Sequence, residues 1–385
     1  QQIVVDRGRT GVNAISNLTE RDKLDSGQCR DCFSPAMNYV PGGSAQYGMA
    51  LTKFKDDGSK HRFKYGFISS SDNHQAAPGS GYKELFHTSV DGVGPPKELF
   101  DKFLHMEPYT IGAKNENPVK DAYISDDQPI DFDLTKLTLG FNTIEWERQR
   151  SFFQTGGLAA VHSEGRSKEE IWDAFKRHET YATSGPRILL WFDLVNNQDS
   201  KNGKSPMGSL VEMNQNPEFE VRAMGSYVQK SGCPEDAYTA LGEDRVNELC
   251  YNECYNPSDE RKKITRIEVI RVWPQEYINQ PIDERIEDTW LVHNCDTDKL
   301  GCRFTFTDPD FSTMQSDVSY YARAIEEPSP IINVKGAHCI FDEEGNCSEF
   351  KICTQDFKNP RDLEACTSID EPRAWSSPIY LNYKL

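Results

Sequence analysis

The sequence predicts an α/β region followed by an all-β region, with the change of character near residues 197–207. Two patterns carry this expectation. In the first half, a capped amphipathic helix is followed within about a dozen residues by an apolar strand. Beyond residue 200, short strand-like runs recur between turn-rich loops that hold cysteines, the pattern of a β-sandwich-like module. The domains are therefore set at residues 1–200 and 201–385. A length of 385 residues suits two or three domains, and no fixed-period repeat points to a solenoid.

In chain order, residues 1–32 are polar and without period, and read as loop. Pro41-Gly-Gly-Ser44 opens Ala45 to Phe54, where Ala45, Met49, Ala50 and Leu51 fit one helix face behind a Ser cap. Lys64 to Ser70 is strand-length and ends in small residues, as a buried strand does where it meets a site. Residues 79 to about 145 are rich in Gly, Pro, Asn and Asp and read as a long, function-bearing loop region. Ser167-Lys-Glu-Glu170 is a capping box, and Ile171, Trp172 and Phe175 follow at helical spacing, which predicts a helix over 168–178. The turn Thr183-Ser-Gly-Pro186 leads into an apolar strand from Ile188 to Val195. Later strands are expected at 219–224, 264–273, 289–293, 303–307, 318–325 and 379–383.

Composition excludes some partners. Lys and Arg total 43 against 61 Asp and Glu, a net charge of −18, so a phosphate backbone would be repelled and nucleic acid is not an expected partner. No apolar stretch reaches the roughly 20 residues of a membrane-spanning helix. Eleven cysteines, mostly in short-range groups within polar loops, favour disulfides over zinc sites, with one thiol left over. These features predict a secreted, periplasmic or cell-surface protein. Asn17-Leu-Thr and Asn346-Cys-Ser are formal glycosylation sequons. The start at Gln1, with no signal pattern before Val4, is read as processing or truncation.

The candidate site is Ser69-Ser-Ser-Asp72-Asn-His74, where a carboxylate and an imidazole two residues apart follow a buried strand and can face one cation. The competing reading is a capping Asp beside a surface His. Glu164, before the capped helix, and Arg187, after a Gly-Pro turn, are candidate substrate-binding residues; a planar guanidinium suits an anionic ligand. Each also reads as a solvated surface charge. His162 reads mainly as a packing residue, and His87 and His105 as surface residues. No Gly-x-Ser-x-Gly elbow, Gly-x-Gly-x-x-Gly or P-loop occurs.

Several ordered motifs resemble one family. They include Asp31-Cys-Phe-Ser-Pro-Ala-Met37, Pro41-Gly-Gly-Ser-Ala-Gln-Tyr-Gly-Met-Ala-Leu51 and Phe63-Lys-Tyr-Gly-Phe-Ile-Ser-Ser-Ser-Asp-Asn-His-Gln-Ala-Ala-Pro-Gly79. Downstream are Gly156 to Glu164, Arg177 to Arg187, Phe306-Thr-Asp-Pro-Asp-Phe311, Tyr320-Tyr-Ala-Arg323 and Arg373 to Tyr380. Together they resemble the bacterial domain-of-unknown-function 3604 family, itself similar to PHP (polymerase and histidinol phosphatase) metallohydrolases. The resemblance implies the last portion of a distorted PHP-like βα barrel, followed by the β-sandwich-like module. It also implies a divalent metal site (Zn, Mn or Fe) whose last ligand motif is Asp72 and His74. The family's opening His-x-His is absent, since none of the eight histidines lie two apart, so the missing ligands are expected from a cleaved or missing N-terminal half acting as partner.

The function so implied is a metal-dependent hydrolase, phosphoesterase-like, that uses metal-activated water on an anionic small-molecule substrate. The alternatives are a non-catalytic extracellular surface, assembly or binding protein on the same scaffold, or a carbohydrate- or protein-binding β-module.

Overall fold

The computed structural model describes residues 44–70, 157–200, 202–250, 254–332, 338–341, 343, 347–351 and 367–384. They form a mixed α/β structure dominated by strands in several sheets, and among the described residues no sheet closes into a barrel. The chain divides into two units. One holds Ala45–Ser71, Gly156–Ser329 and Asp370–Leu385; the other holds Gln1–Ser44, Asp72–Thr155 and Pro330–Ile369.

The first unit opens with helix α1 (Ala45–Ala50) and the hairpin of β1 (Thr52–Phe54) and β2 (Lys60–Arg62). The helix expected to reach Phe54 therefore stops four residues earlier. Lys55-Asp-Asp-Gly58 makes a turn instead: Gly58 takes a positive φ of 79°, and Asp57 accepts a 2.9 Å hydrogen bond from the Ser59 amide. Then come β3 (Leu158–Val161), α2 (Lys168–Lys176), β4 (Thr180–Thr183), β5 (Leu189–Leu194), β6 (Ser205–Pro206), β7 (Leu210–Met213), β8 (Glu218–Met224) and β9 (Tyr227–Gln229). The capping box at α2 forms as predicted, with Ser167 and Glu170 exchanging hydrogen bonds. Its apolar face is thin, for Ala174 is buried while Trp172 is 61 % exposed.

Helices α3 (Glu235–Leu241) and α4 (Glu243–Cys250) precede β10 (Pro257–Arg261), β11 (Ile264–Val272), β12 (Ile286–Asn294), β13 (Cys302–Thr307), α5 (Phe311–Met314) and β14 (Val318–Glu326). The chain continues through β15 (Ser329–Ile332), β16 (His338–Phe341), β17 (Cys347–Lys351), β18 (Thr367–Asp370), β19 (Arg373–Ser376) and β20 (Ile379–Tyr383). The described part of the second unit is strand ribbon: β15 pairs with β18, and β16 and β17 form an antiparallel hairpin.

Two sheets build the first unit's core. The larger has eight strands in the order β12-β11-β14-β19-β4-β3, with β20 added to β14 and β7 added to β20. Its pairings are antiparallel except β20 with β7. Strands from both sides of residue 200 share it. The smaller sheet runs β13-β8-β5-β6. Strict alternation in β5 turns Leu190, Phe192 and Leu194 inward against Tyr320, Ala322 and Ala374 of the larger sheet. Phe219 and Tyr320 meet across this core with ring centroids 4.7 Å apart, a contact worth about 0.5–1.5 kcal/mol beyond the area it buries.

The opposite face of the larger sheet is covered as well. Met49 and Ala50 of α1, with Tyr65 and Phe67, pack on Ile270, Val272, Tyr321 and Tyr380. This double covering explains why β11 and β14 are buried along most of their length rather than at alternate residues.

Among the described residues two disulfides bridge neighbouring segments, Cys233–Cys254 and Cys295–Cys302. By loop-closure entropy they stabilise the fold by roughly 3 and 2.5 kcal/mol. Among the described residues no helix is long and apolar enough to cross a membrane.

Candidate functional site

The run that leads to Asp72 is seated on the large sheet. Residues 63–70 join no ladder and none is fully buried, Ile68 being 59 % exposed, contrary to the buried strand expected from Lys64 to Ser70. The physical reason is that side chains from the far end of the chain take its polar backbone groups. The Tyr65 amide donates to the Tyr380 hydroxyl at 3.0 Å, and that hydroxyl donates back to the Tyr65 carbonyl at 2.9 Å. The Phe67 amide donates to Ser377 Oγ at 2.8 Å, and the Ser377 amide donates to the Thr180 carbonyl. Ser69 Oγ accepts from the Thr183 amide and lies within 2.7 and 2.8 Å of the carbonyls of Thr183 and Leu158, a cross-strand pair. The Gly157 amide donates to the Ser70 carbonyl.

Close packing fixes the same run. A Cβ on Gly157 would stand 2.7 Å from the Ser69 Cβ and 2.8 Å from the Thr183 carbonyl, so this approach requires glycine. Phe67 meets Tyr321 edge to face at 5.3 Å. Burial pushes the Tyr65 phenol up to about 12, so it stays a neutral donor, 2.5 Å from the Ala45 carbonyl. Asp72 and His74 themselves lie outside the described residues, as do His87 and His105.

Glu164 and Arg187 are both exposed. Glu164 sits in the bend before α2, where its charge acts on Arg177, the bidentate partner of Glu179. The Arg187 guanidinium lies 3.8 Å from the centroid of the Tyr255 ring, directly after the Cys233–Cys254 bridge. His162 packs, as read from the sequence: its Nε2 is 2.8 Å from the Leu190 carbonyl, and its ring lies against Tyr181 and Trp191.

Sequence reasoning missed two charged clusters. The first joins the Phe306–Phe311 and Tyr320–Arg323 motifs. Arg271 Nη1 donates to both oxygens of the fully buried Asp308 at 2.9 Å and to Asp310 at 3.0 Å, while Nε and Nη2 engage Glu287. The Tyr320 hydroxyl donates to Asp308 at 2.5 Å, and Trp273 and Trp290 flank the guanidinium. Burial, then the charge and hydrogen bond of Asp308, raise the Tyr320 pKa well above its ordinary value. The available signal was Arg271 within Val269-Ile-Arg-Val272, since a buried cation needs carboxylate partners.

The second cluster lines a cavity of about 640 Å³, whose wall includes Thr52, Arg62, Lys64, Gln315, Asp317 and Asn382. Its signal was Lys60-His-Arg62-Phe-Lys64, where cations recur every second residue on an extended stretch.

Among the described residues no group of three or more His, Cys, Asp and Glu side chains is placed to hold a metal ion. The donor chemistry of Asp72 and His74, one carboxylate and one imidazole, fits Zn, Mn or Fe, but two donors make only part of a coordination shell.

These features define a class: a disulfide-bearing, strand-rich α/β protein whose two-sheet core anchors a segment leading to an Asp-x-His pair. Residues 30–235, more than half of the chain, match the family described as "Protein of unknown function (DUF3604)", and the chain belongs to that family. No curated protein and no solved structure matches the chain.

Proposed function

We propose that this protein is a secreted or periplasmic metal-dependent hydrolase, phosphoesterase-like, built on a PHP-like barrel derivative, with Asp72 and His74 holding one divalent ion. The observation that supports this reading is the anchoring of residues 63–70. Hydrogen bonds at residues 65, 67, 69 and 70 fix the chain up to the residue just before Ser71-Asp72, and Gly157 allows no slack beside Ser69. A metal ligand needs such a rigid approach, because ligand geometry is set by the backbone that carries it.

A bound Zn, Mn or Fe ion would supply an activated water and polarise a phosphoryl oxygen. The chain's own residues would do the rest. Asp72 contributes a carboxylate and His74 a neutral imidazole. Arg187, steadied on Tyr255, offers guanidinium donors to an anionic substrate. Glu164 offers an exposed carboxylate as acceptor for a substrate hydroxyl. The remaining ligands are assigned to upstream residues supplied with the complete protein.

The test is hydrolysis of p-nitrophenyl phosphate by the complete protein. Activity that chelation removes, and that Asp72→Ala and His74→Ala each reduce by at least 100-fold, is the expected result. Activity unaffected by either substitution would contradict the reading.

A further inference from the structure

We propose that the cavity beside the β1–β2 hairpin is a binding site for a small polar molecule bearing an oxyanion, held by Arg62 and Lys64. It belongs wholly to the first unit and does not depend on the metal reading.

The Arg62 side chain is nine-tenths buried, at 9 % exposure. Nη1 is committed to Asp317 Oδ2 at 2.9 Å, on the rim. Nε and Nη2 are buried with no hydrogen-bond partner among the described residues. Those two nitrogens form one side of the planar guanidinium, the edge that presents two parallel N–H groups to a carboxylate, phosphate or sulfate. Folded proteins seldom leave such donors unsatisfied, and a whole vacant edge is the shape of a two-point oxyanion contact.

The surroundings fit the same ligand. Thr52 is the direct cross-strand partner of Arg62, and its Oγ1 is also buried without a partner, so an unused hydroxyl stands on the same wall. Lys64 Nζ reaches the neutral Asn382 Oδ1 at 2.9 Å. Burial, and then repulsion from Arg62, lower the Lys64 pKa, a cost that an anion between the two cations would offset. Lys60 adds a third cation to the lining, against the carboxylates Glu276 and Asp317. This local positive excess sits in a chain of net charge −18. A volume of about 640 Å³ admits a small molecule rather than an ion alone.

The experiment is isothermal titration calorimetry of the full chain with sodium phosphate, sodium sulfate and sodium acetate, each against chloride at equal ionic strength. Saturable one-site binding of at least one anion is expected, weakened at least tenfold by Arg62→Lys and by Lys64→Gln and unchanged by Lys176→Gln on α2. Arg62→Lys keeps the charge facing Asp317 while removing the two-point edge, so it tests the contact without stranding a carboxylate. Phosphate or sulfate binding without acetate binding assigns a tetrahedral oxyanion, and acetate binding assigns a carboxylate. Asp72→Ala with His74→Ala leaves this binding intact if the site is the one proposed. No saturable binding of any of the three anions, or binding that Arg62→Lys and Lys64→Gln leave unchanged, overturns the proposal.

Discussion

The Tyr380 hydroxyl both accepts from the Tyr65 amide and donates to the Tyr65 carbonyl, so one phenol from the last strand satisfies both backbone groups of a residue 315 positions earlier. Tyr380 is 1 % exposed, and burial keeps its hydroxyl protonated by raising its pKa well above the ordinary value. Tyr380→Phe leaves both groups unpaired and should cost about 1–3 kcal/mol. Urea denaturation measures this, and an unchanged midpoint would mean that the anchor is dispensable.

Gly157 lets the same segment lie close. Gly157→Ala places a methyl against Ser69 and the Thr183 carbonyl, so the segment must shift away from the sheet. Amide exchange at residues 67–70 should rise in the variant while exchange in β11 stays slow. Equal protection in both proteins would refute the packing argument.

Arg271 and Asp308 form a buried pair whose members cannot be removed singly without stranding a charge. Arg271→Met should destabilise by about 3–5 kcal/mol, measured by urea unfolding. A loss below about 1 kcal/mol would show that Asp308 finds another partner.

Glu268 gives a pH signature. Burial alone would raise its pKa, but hydrogen bonds and charge from Arg266 and Arg323 outweigh it, so the folded value lies below the ordinary 4.5. A depressed carboxylate contributes stability that is fully present above its unfolded pKa and is lost as pH falls through the folded value. The denaturation midpoint of the native protein should therefore drop below about pH 4.5, and Glu268→Gln should flatten part of that drop. Parallel pH profiles would exclude the contribution.

Much of the architecture was legible because its causes are local. The capping box at Ser167 and Glu170 needs only four residues, and the six β-branched residues of Ile264–Val272 mark a strand by themselves. The helix expected to reach Phe54 failed because an Asp-Gly turn outweighed an apolar face. Residues 64–70 read as a strand from their length and small-residue end, whereas their hydrogen-bond partners are Ser377 and Tyr380. The Arg62 edge was invisible for the same reason, since its one committed partner, Asp317, lies 255 residues away. The motif Asp72-Asn-His74, expected from the sequence to be a metal-ligand pair, lies outside the described residues.

Asp72 and His74 are proposed to hold a divalent ion in the complete protein. Elemental analysis of purified native protein, as transition metal per chain, tests it most directly, alongside the Asp72→Ala, His74→Ala double variant. Near-stoichiometric metal in the native protein and its loss in the folded variant are expected. Metal content unchanged by the double substitution would contradict it.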